Sequence, residues 1–227
     1  EEMRQHVNSN VGFDLELFFQ NFGGCNTGVL GSFLAECIRR KTGRSTMSFQ
    51  DLETLTGRTL SVRALNITTQ TIETLSTSTH PDLDVVTAVQ ASCAIPMLFA
   101  PVRIGQYDYL DVAILENAAV HEVYGETTLA MVIKNDSISL LQQKNQRLLD
   151  FIQRLVSTIT HVHTSMQLKG LTPAQRSNVV LFGVQIESRR WPASMYPSEV
   201  DLKRLINNGA QIMEQYIASN DAATDDS

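Results

Sequence analysis

Two short apolar runs separated by a long helical pattern are the feature that most restricts the fold of this 227-residue chain. The runs TTLAMVIK, at residues 127–134, and VVLFGVQI, at residues 179–186, each have the length of one strand and are apolar at most positions. Between them, residues 138–168 have the three- and four-residue apolar spacing of a helix. Buried strands that alternate with helices predict a layered α/β domain.

Helix caps and turns mark most of the other elements. Thr27 is the expected N-cap of a helix that stops at Gly43, and Ser48 and Asp51 have the spacing of a capping box for a short helix. Ser198 is the expected cap of a last amphipathic helix. The other predicted elements are strands at 59–67 and 70–76 joined by a tight turn, a buried helix at 84–93, and a hairpin at 101–110 that turns near Gly105-Gln106.

Composition restricts the domain organisation and the partners. The hydrophobic fraction of 43% is enough for one sizeable core, and we expect residues 1–218 to be part of one domain, followed by an acidic, disordered tail at 219–227. A net charge of −6 brings no electrostatic gain from nucleic acid or from an anionic membrane surface. Contact with lipid would therefore need apolar surface or a local basic patch, and the loop from Arg189 to Pro197 with its single Trp is one candidate.

Cysteine and histidine usage does not indicate a disulfide framework or a metal site. Cys25, Cys37 and Cys93 lack C-x-x-C spacing and are odd in number, so we expect reduced, buried thiols and an intracellular location, cytoplasmic or peripheral to membranes. His161 and His163 are two residues apart on a helical pattern and face different directions. A Cys25–His enzyme remains an alternative, because the partner of a catalytic cysteine can be distant in sequence.

Three segments between Phe49 and Val120 stand in the order of a known family. The first segment is FQDLETLTGRTLSVRALNITTQTIETLS. The second, VVTAVQASCAIPMLFAPV, is similar to the block A-x-x-A-S-x-A-x-P-x-x-F-x-P. The third, YLDVAILENAAV, is similar to a D-G-[GA] motif with an asparagine after it. These segments resemble the patatin-like phospholipases, and the resemblance extends from about Phe22 to Ile217. The matching residues of the second block are Ala88, Ala91, Ser92, Ala94, Pro96, Phe99 and Pro101.

The resemblance implies a three-layer α/β/α sandwich and a Ser–Asp dyad that cleaves acyl esters without a metal or an organic cofactor. In the family, the serine lies in a G-x-S-x-G elbow and a glycine-rich loop supplies the oxyanion hole. Neither occurs in this chain, and the nearest look-alike, Gly24 to Gly28, has Asn26 in place of the nucleophile. Because the chain begins at Glu1, we expect both parts upstream, a sandwich incomplete on its N-terminal side, and no activity of the chain alone.

The same resemblance makes Asp111 the candidate general base, because Asp111 aligns with the aspartate of the D-G-[GA] motif. A carboxylate beside a serine can accept the hydroxyl proton directly. The alternative is a strand-end carboxylate that accepts backbone N–H bonds. Val112 replaces the glycine of the motif, so the loop has either ordinary dihedral angles or a distorted site.

Four further residues are expected near the site. Ser92 is expected in a structural position rather than as a nucleophile, because small residues surround it, and Pro96 belongs to the same block. Ala113 follows Val112 in the motif, and Asn117 is the expected cap of the next helix.

Two classes of function follow. The first is a patatin-like lipid acyl hydrolase, a carboxylic ester hydrolase of phospholipase A type, that acts on glycerolipids or phospholipids without calcium. Its partners would be the lipid substrate and a peripheral membrane surface, and not nucleic acid; the sequence does not indicate an oligomeric state. The alternative is a patatin-fold scaffold or binding module without catalysis, which Val112 and the missing elbow motivate. An acyltransferase is a third possibility.

Overall fold

The computed structural model of the chain describes residues 15–25, 27–117, 119, 128–135, 148–184 and 198–225. Residue contacts divide the chain into two compact units with the boundary after Val112. Each unit combines helices with β-sheet, which confirms the predicted α/β class. That residues 1–218 form one domain stays a prediction.

The first unit contains most of the elements with clear sequence signals. In chain order its described elements are α1 (Leu15–Asn21), β1 (Gly23–Cys25), α2 (Gly28–Thr42), α3 (Phe49–Thr56), β2 (Ser61–Asn66), β3 (Thr71–Ser76), α4 (Val85–Ser92), β4 (Met97–Phe99), β5 (Val102–Ile104) and β6 (Tyr107–Leu110). A 3-10 turn follows at Val112–Ile114. Both predicted hairpins and the three predicted helices are confirmed, with boundaries shifted by one or a few residues.

Two sheets form in this unit. The larger is antiparallel with the strand order β3-β2-β6-β5, and the smaller pairs β1 with β4 in parallel. The alternating pattern of β2 turns Val62, Ala64 and Asn66 inward, and α4 packs over β2, β5 and β6. The core between them is apolar apart from one polar cluster described below.

Local capping chemistry sets the helix ends as the sequence predicts. The Ser48 hydroxyl accepts from the Asp51 N–H at 3.0 Å, and the Asp51 carboxylate accepts from the Ser48 N–H at 3.4 Å. Gly43 ends α2 in the left-handed conformation. Thr27 takes the N-cap position of α2 but makes no side-chain capping bond, because its backbone is already helical. Its hydroxyl and carbonyl oxygens accept from Gln90 of α4 instead.

The second unit is a β-α-β arrangement with a closing helix. Its described elements are β7 (Ala130–Asn135), α5 (Leu148–Lys169), α6 (Pro173–Ser177), β8 (Val179–Val184) and α7 (Glu199–Asp225). β7 and β8 pair in parallel, and Val132 and Val180 are buried. Asn208 Nδ2 of α7 donates to the Gly183 carbonyl of β8 at 3.1 Å, which fixes α7 to the sheet.

Three expectations differ from this description or lie outside it. α7 continues to Asp225, within the segment 219–227, and the disorder of that acidic tail stays a prediction. The strand predicted at 127–134 begins at Ala130. The loop from Arg189 to Pro197 lies outside the described residues.

Candidate active site

Asp111 lies directly after β6, where the chain enters the 3-10 turn. Its backbone N–H donates to the Ala94 carbonyl at 2.8 Å, which joins the end of β6 to the segment after α4. Burial raises the pKa of the Cys93 thiol, and the nearby negative charge of Asp111 raises it further. The half-buried Asp111 and Cys93 and the buried Ala94 therefore lie together at the end of α4. The proximity of Cys93 was missed from the sequence, which indicates only a small buried residue.

Small side chains bring α4 close to the sheet and so position this group. Ala88, Ala91 and Ala94 are completely buried. At the other end of the helix, the Asp84 carboxylate accepts from the Thr87 N–H at 3.1 Å as the N-cap. Ser92, in the last turn of α4, is half-buried.

A buried polar cluster supports β6 just before Asp111. The hydroxyl of Tyr109 donates to Glu73 Oε2 at 2.8 Å, and Asn66 Nδ2 donates to Glu73 Oε1 at 2.8 Å. Asn66 Oδ1 accepts from two backbone N–H groups of the β2–β3 turn. Every strong polar atom of the cluster thus has a partner, and the strand end is held rigidly.

Pro96 begins a tight turn between α4 and β4. The Leu98 N–H donates to the Ile95 carbonyl at 3.1 Å, with Pro96 and Met97 as the two central residues. Met97 has a φ of 69°, a conformation that glycine normally takes in a type II turn. The sequence contains no signal for this strained residue, because methionine is not typical of the position.

Val112 has ordinary backbone geometry. Among the described residues, the non-glycine residues with positive φ are Phe22, Gln70 and Met97, whereas Val112 is part of the 3-10 turn and is buried. Of the two outcomes expected from the sequence, the loop with ordinary dihedral angles is the correct one. Ala113 follows Val112 in the same turn.

Asn117 belongs to the second unit and contacts a strand. Its Nδ2 donates to the Ile133 carbonyl of β7 at 3.0 Å. The helix that Asn117 is expected to cap would start at residue 118, which lies outside the described residues, as do residues 120–127.

The look-alike of the nucleophile elbow lies between β1 and α2, a strand-turn-helix connection. Asn26 itself lies outside the described residues. Cys25 is buried, and burial raises the pKa of its thiol, which disfavours the thiolate that a cysteine enzyme needs. β1 approaches β4 so closely that a Cβ on Gly23 would lie 2.1 Å from the Ala100 nitrogen.

Two other features, a metal-binding cluster and a membrane-spanning helix, are absent from the described residues. No group of three or more His, Cys, Asp or Glu residues there could hold a metal ion. No helix there is long and apolar enough to cross a membrane.

Comparison with known families agrees with the arrangement of strands and motifs. The family model "Patatin-like phospholipase" matches residues 5–124, which is more than half of the chain and includes β1 to β6 and Asp111. A comparison with curated proteins finds no match. The mixed α/β architecture is consistent with the α/β/α fold of this family, and lipid hydrolysis is its general activity. The chain belongs to the patatin-like phospholipase family.

Proposed function

We propose that this chain carries the general base of a patatin-type lipid acyl hydrolase, with Asp111 as that base. The serine nucleophile and the oxyanion donors would lie outside these 227 residues, since the sequence contains no G-x-S-x-G. The substrate would be a glycerolipid or phospholipid, met through peripheral contact with a membrane. The three free cysteines favour a reducing compartment, hence an intracellular location.

The reaction would proceed by acyl transfer to serine. The serine oxygen attacks the ester carbonyl while the Asp111 carboxylate accepts the hydroxyl proton. Backbone N–H donors stabilise the tetrahedral oxyanion. The ester C–O bond then breaks, and Asp111 returns the proton to the leaving alcohol. Water repeats the attack on the acyl-serine with Asp111 again as base, and the fatty acid and the free serine result.

The observation that carries the proposal is the fixed position of Asp111. The 2.8 Å bond from its N–H to the Ala94 carbonyl and the satisfied polar cluster at Tyr109 fix the backbone from which its carboxylate extends. A base has to be held within hydrogen-bond reach of one hydroxyl, so such restriction suits the role. Half-burial also limits the water that competes for the carboxylate.

The alternative is a patatin-fold scaffold or binding module without catalysis. Val112 favours it, because a buried valine side chain directly after the candidate base fills space that the glycine of the family motif leaves open.

Fluorophosphonate labelling followed by intact mass and peptide mapping tests the proposal. We expect the 227-residue chain to stay unlabelled, and the protein isolated from its source to carry the probe on a serine outside this chain. In that protein, Asp111→Asn should lower phospholipid hydrolysis by roughly 10²–10⁴-fold.

Asp108→Asn is the matched control, because Asp108 lies on the same strand and pairs with Arg103 on the adjacent strand. It should retain hydrolysis. Probe on a serine of this chain such as Ser92, or equal activity of Asp111→Asn and wild type, would refute the assignment of Asp111. An unlabelled full-length protein would favour the scaffold.

A further inference from the structure

The outward side of α5 carries a continuous apolar stripe. Its members recur at intervals of three or four residues, which puts them on one helix face, and each is 36–64% exposed. The stripe consists of Phe151, Leu155, Ile159, Val162 and Met166. Thr164, half a turn away from its centre, is 5% exposed, so the helix packs through the opposite side. An exposed apolar surface of this extent indicates a binding surface.

The charge around the stripe is opposite to that of the chain as a whole. The chain contains 24 acidic residues and has a net charge of −6, but α5 has one acidic residue, Asp150, at its N-terminal end, and residues 151–186 contain none. The same segment has three cations, Arg154, Lys169 and Arg176. Arg176 donates to the Leu168 carbonyl at 3.1 Å, which places its guanidinium at the C-terminal end of α5, where Lys169 is the last residue of the helix.

We propose that α5 lies in the surface of an anionic lipid bilayer, with the apolar stripe inserted and the surrounding cations near the headgroups. A helix with a narrow apolar face and basic flanks has the composition of interfacial helices. The stripe is about 22 Å long at the rise of an α-helix, and a flat surface can receive all of it at once. A second copy of the chain would bring cations of equal sign together across the contact.

This inference rests on the proposed function for the choice of lipid and names the part of the chain that makes the membrane contact. It does not require Asp111 to be catalytic. Binding is therefore measured on the 227-residue chain without reference to hydrolysis.

The test is flotation with phosphatidylcholine vesicles that contain roughly 30 mol% phosphatidylserine, compared with pure phosphatidylcholine. We expect binding to the anionic vesicles that weakens with salt. Leu155→Ser combined with Ile159→Ser should weaken it roughly tenfold or more, because two inserted side chains are lost. Both positions are exposed, so folding should be retained.

Val200→Ser combined with Ile206→Ser is the matched control, because both residues are exposed on α7. This control and Asp111→Asn should bind as wild type does. The inference would be overturned if the wild type did not bind the anionic vesicles, or if the stripe variant bound them equally well. It would also be overturned if the wild type sedimented as a dimer and the stripe variant as a monomer. Hydrolysis is measured separately, on the protein isolated from its source, because the proposed function expects the 227-residue chain alone to be inactive. In that protein, vesicle binding without any hydrolysis would contradict the proposed function alone, and hydrolysis with unchanged binding of the stripe variant would contradict this inference alone.

Discussion

Replacement of Tyr109 with phenylalanine removes one hydroxyl from the polar cluster next to the candidate base and leaves the ring in place. In the wild type, this hydroxyl donates to Glu73 Oε2 at 2.8 Å, and Tyr109 is 1% exposed. In the variant, Asn66 Nδ2 still donates to the other carboxylate oxygen of Glu73, Oε1. The variant therefore retains a half-buried carboxylate with one donor fewer.

The expected loss of stability follows from the charge of the acceptor. A hydrogen bond to a charged group contributes about 1.5–3 kcal/mol. Glu73 also accepts longer bonds from Thr71 and Thr69 at 3.4 and 3.5 Å, but both reach Oε1 and do not replace the Tyr109 hydroxyl at Oε2. We therefore expect Tyr109→Phe to lower the free energy of unfolding by about 1.5–3 kcal/mol at neutral pH.

The pH dependence has a definite sign. Burial first, and then the Glu73 carboxylate, raise the pKa of Tyr109 to about 12 from its ordinary value of 10.0. A pKa that is higher in the folded state means that the stabilisation is complete below pH 10 and is lost as pH rises towards 12. The difference in stability between wild type and Tyr109→Phe should therefore shrink over that window.

Urea unfolding followed by circular dichroism, from about pH 7 to about pH 11.5, measures both effects. Tyr107→Phe is the control on the same strand, because its hydroxyl accepts a solvent-exposed bond from Gln106 at 2.9 Å, and it should cost less than about 0.5 kcal/mol. A Tyr109→Phe loss as small as that of the control, or a loss that stays constant up to pH 11.5, would refute the reasoning.

Three further substitutions test local geometry by the same urea measurement. Gly23→Ala should cost about 2–4 kcal/mol, because its Cβ would lie 2.1 Å from the Ala100 nitrogen, and an unchanged midpoint would contradict that approach. Gln70→Gly should raise stability by roughly 0.5–1 kcal/mol, because Gln70 has a φ of 59° in an exposed turn and glycine adopts that conformation without strain. The control Thr69→Gly should not raise stability. Ser48→Ala should cost about 1 kcal/mol through loss of the capping box, and a loss below about 0.3 kcal/mol would argue against it.

Elements with local signals could be predicted from the sequence, and those formed by distant pairing could not. The capping box at Ser48 and the turn at Gly105, which has a φ of 60°, depend on neighbouring residues alone. β1 and β4 have three residues each, too few for a periodic pattern, and they pair across most of the first unit. The short helix α6 did have a readable signal, a capping box at Thr172 followed by Pro173.

The candidate site divides in the same way. Asp111 is predicted from its motif, since the order of the three family-like segments carries information beyond each residue, and its role as base stays a prediction. Cys93 is 18 positions away from Asp111 in the sequence, and only the packing of α4 against the sheet brings them together. The strain at Met97 depends on a turn closed by the Ile95 carbonyl, which no propensity of methionine indicates.

A glycine after the candidate base could be needed for its positive φ or for its small volume, and Val112 distinguishes these two reasons. If the position needed positive φ, a β-branched residue would strain the loop, yet Val112 lies in a 3-10 turn with ordinary geometry. Strain therefore gives no argument against catalysis. What remains is volume, because the buried Val112 side chain occupies space beside Asp111 that glycine would leave open. Hydrolase and scaffold thus differ in one physical requirement: whether the acyl ester has to enter that space to reach the carboxylate.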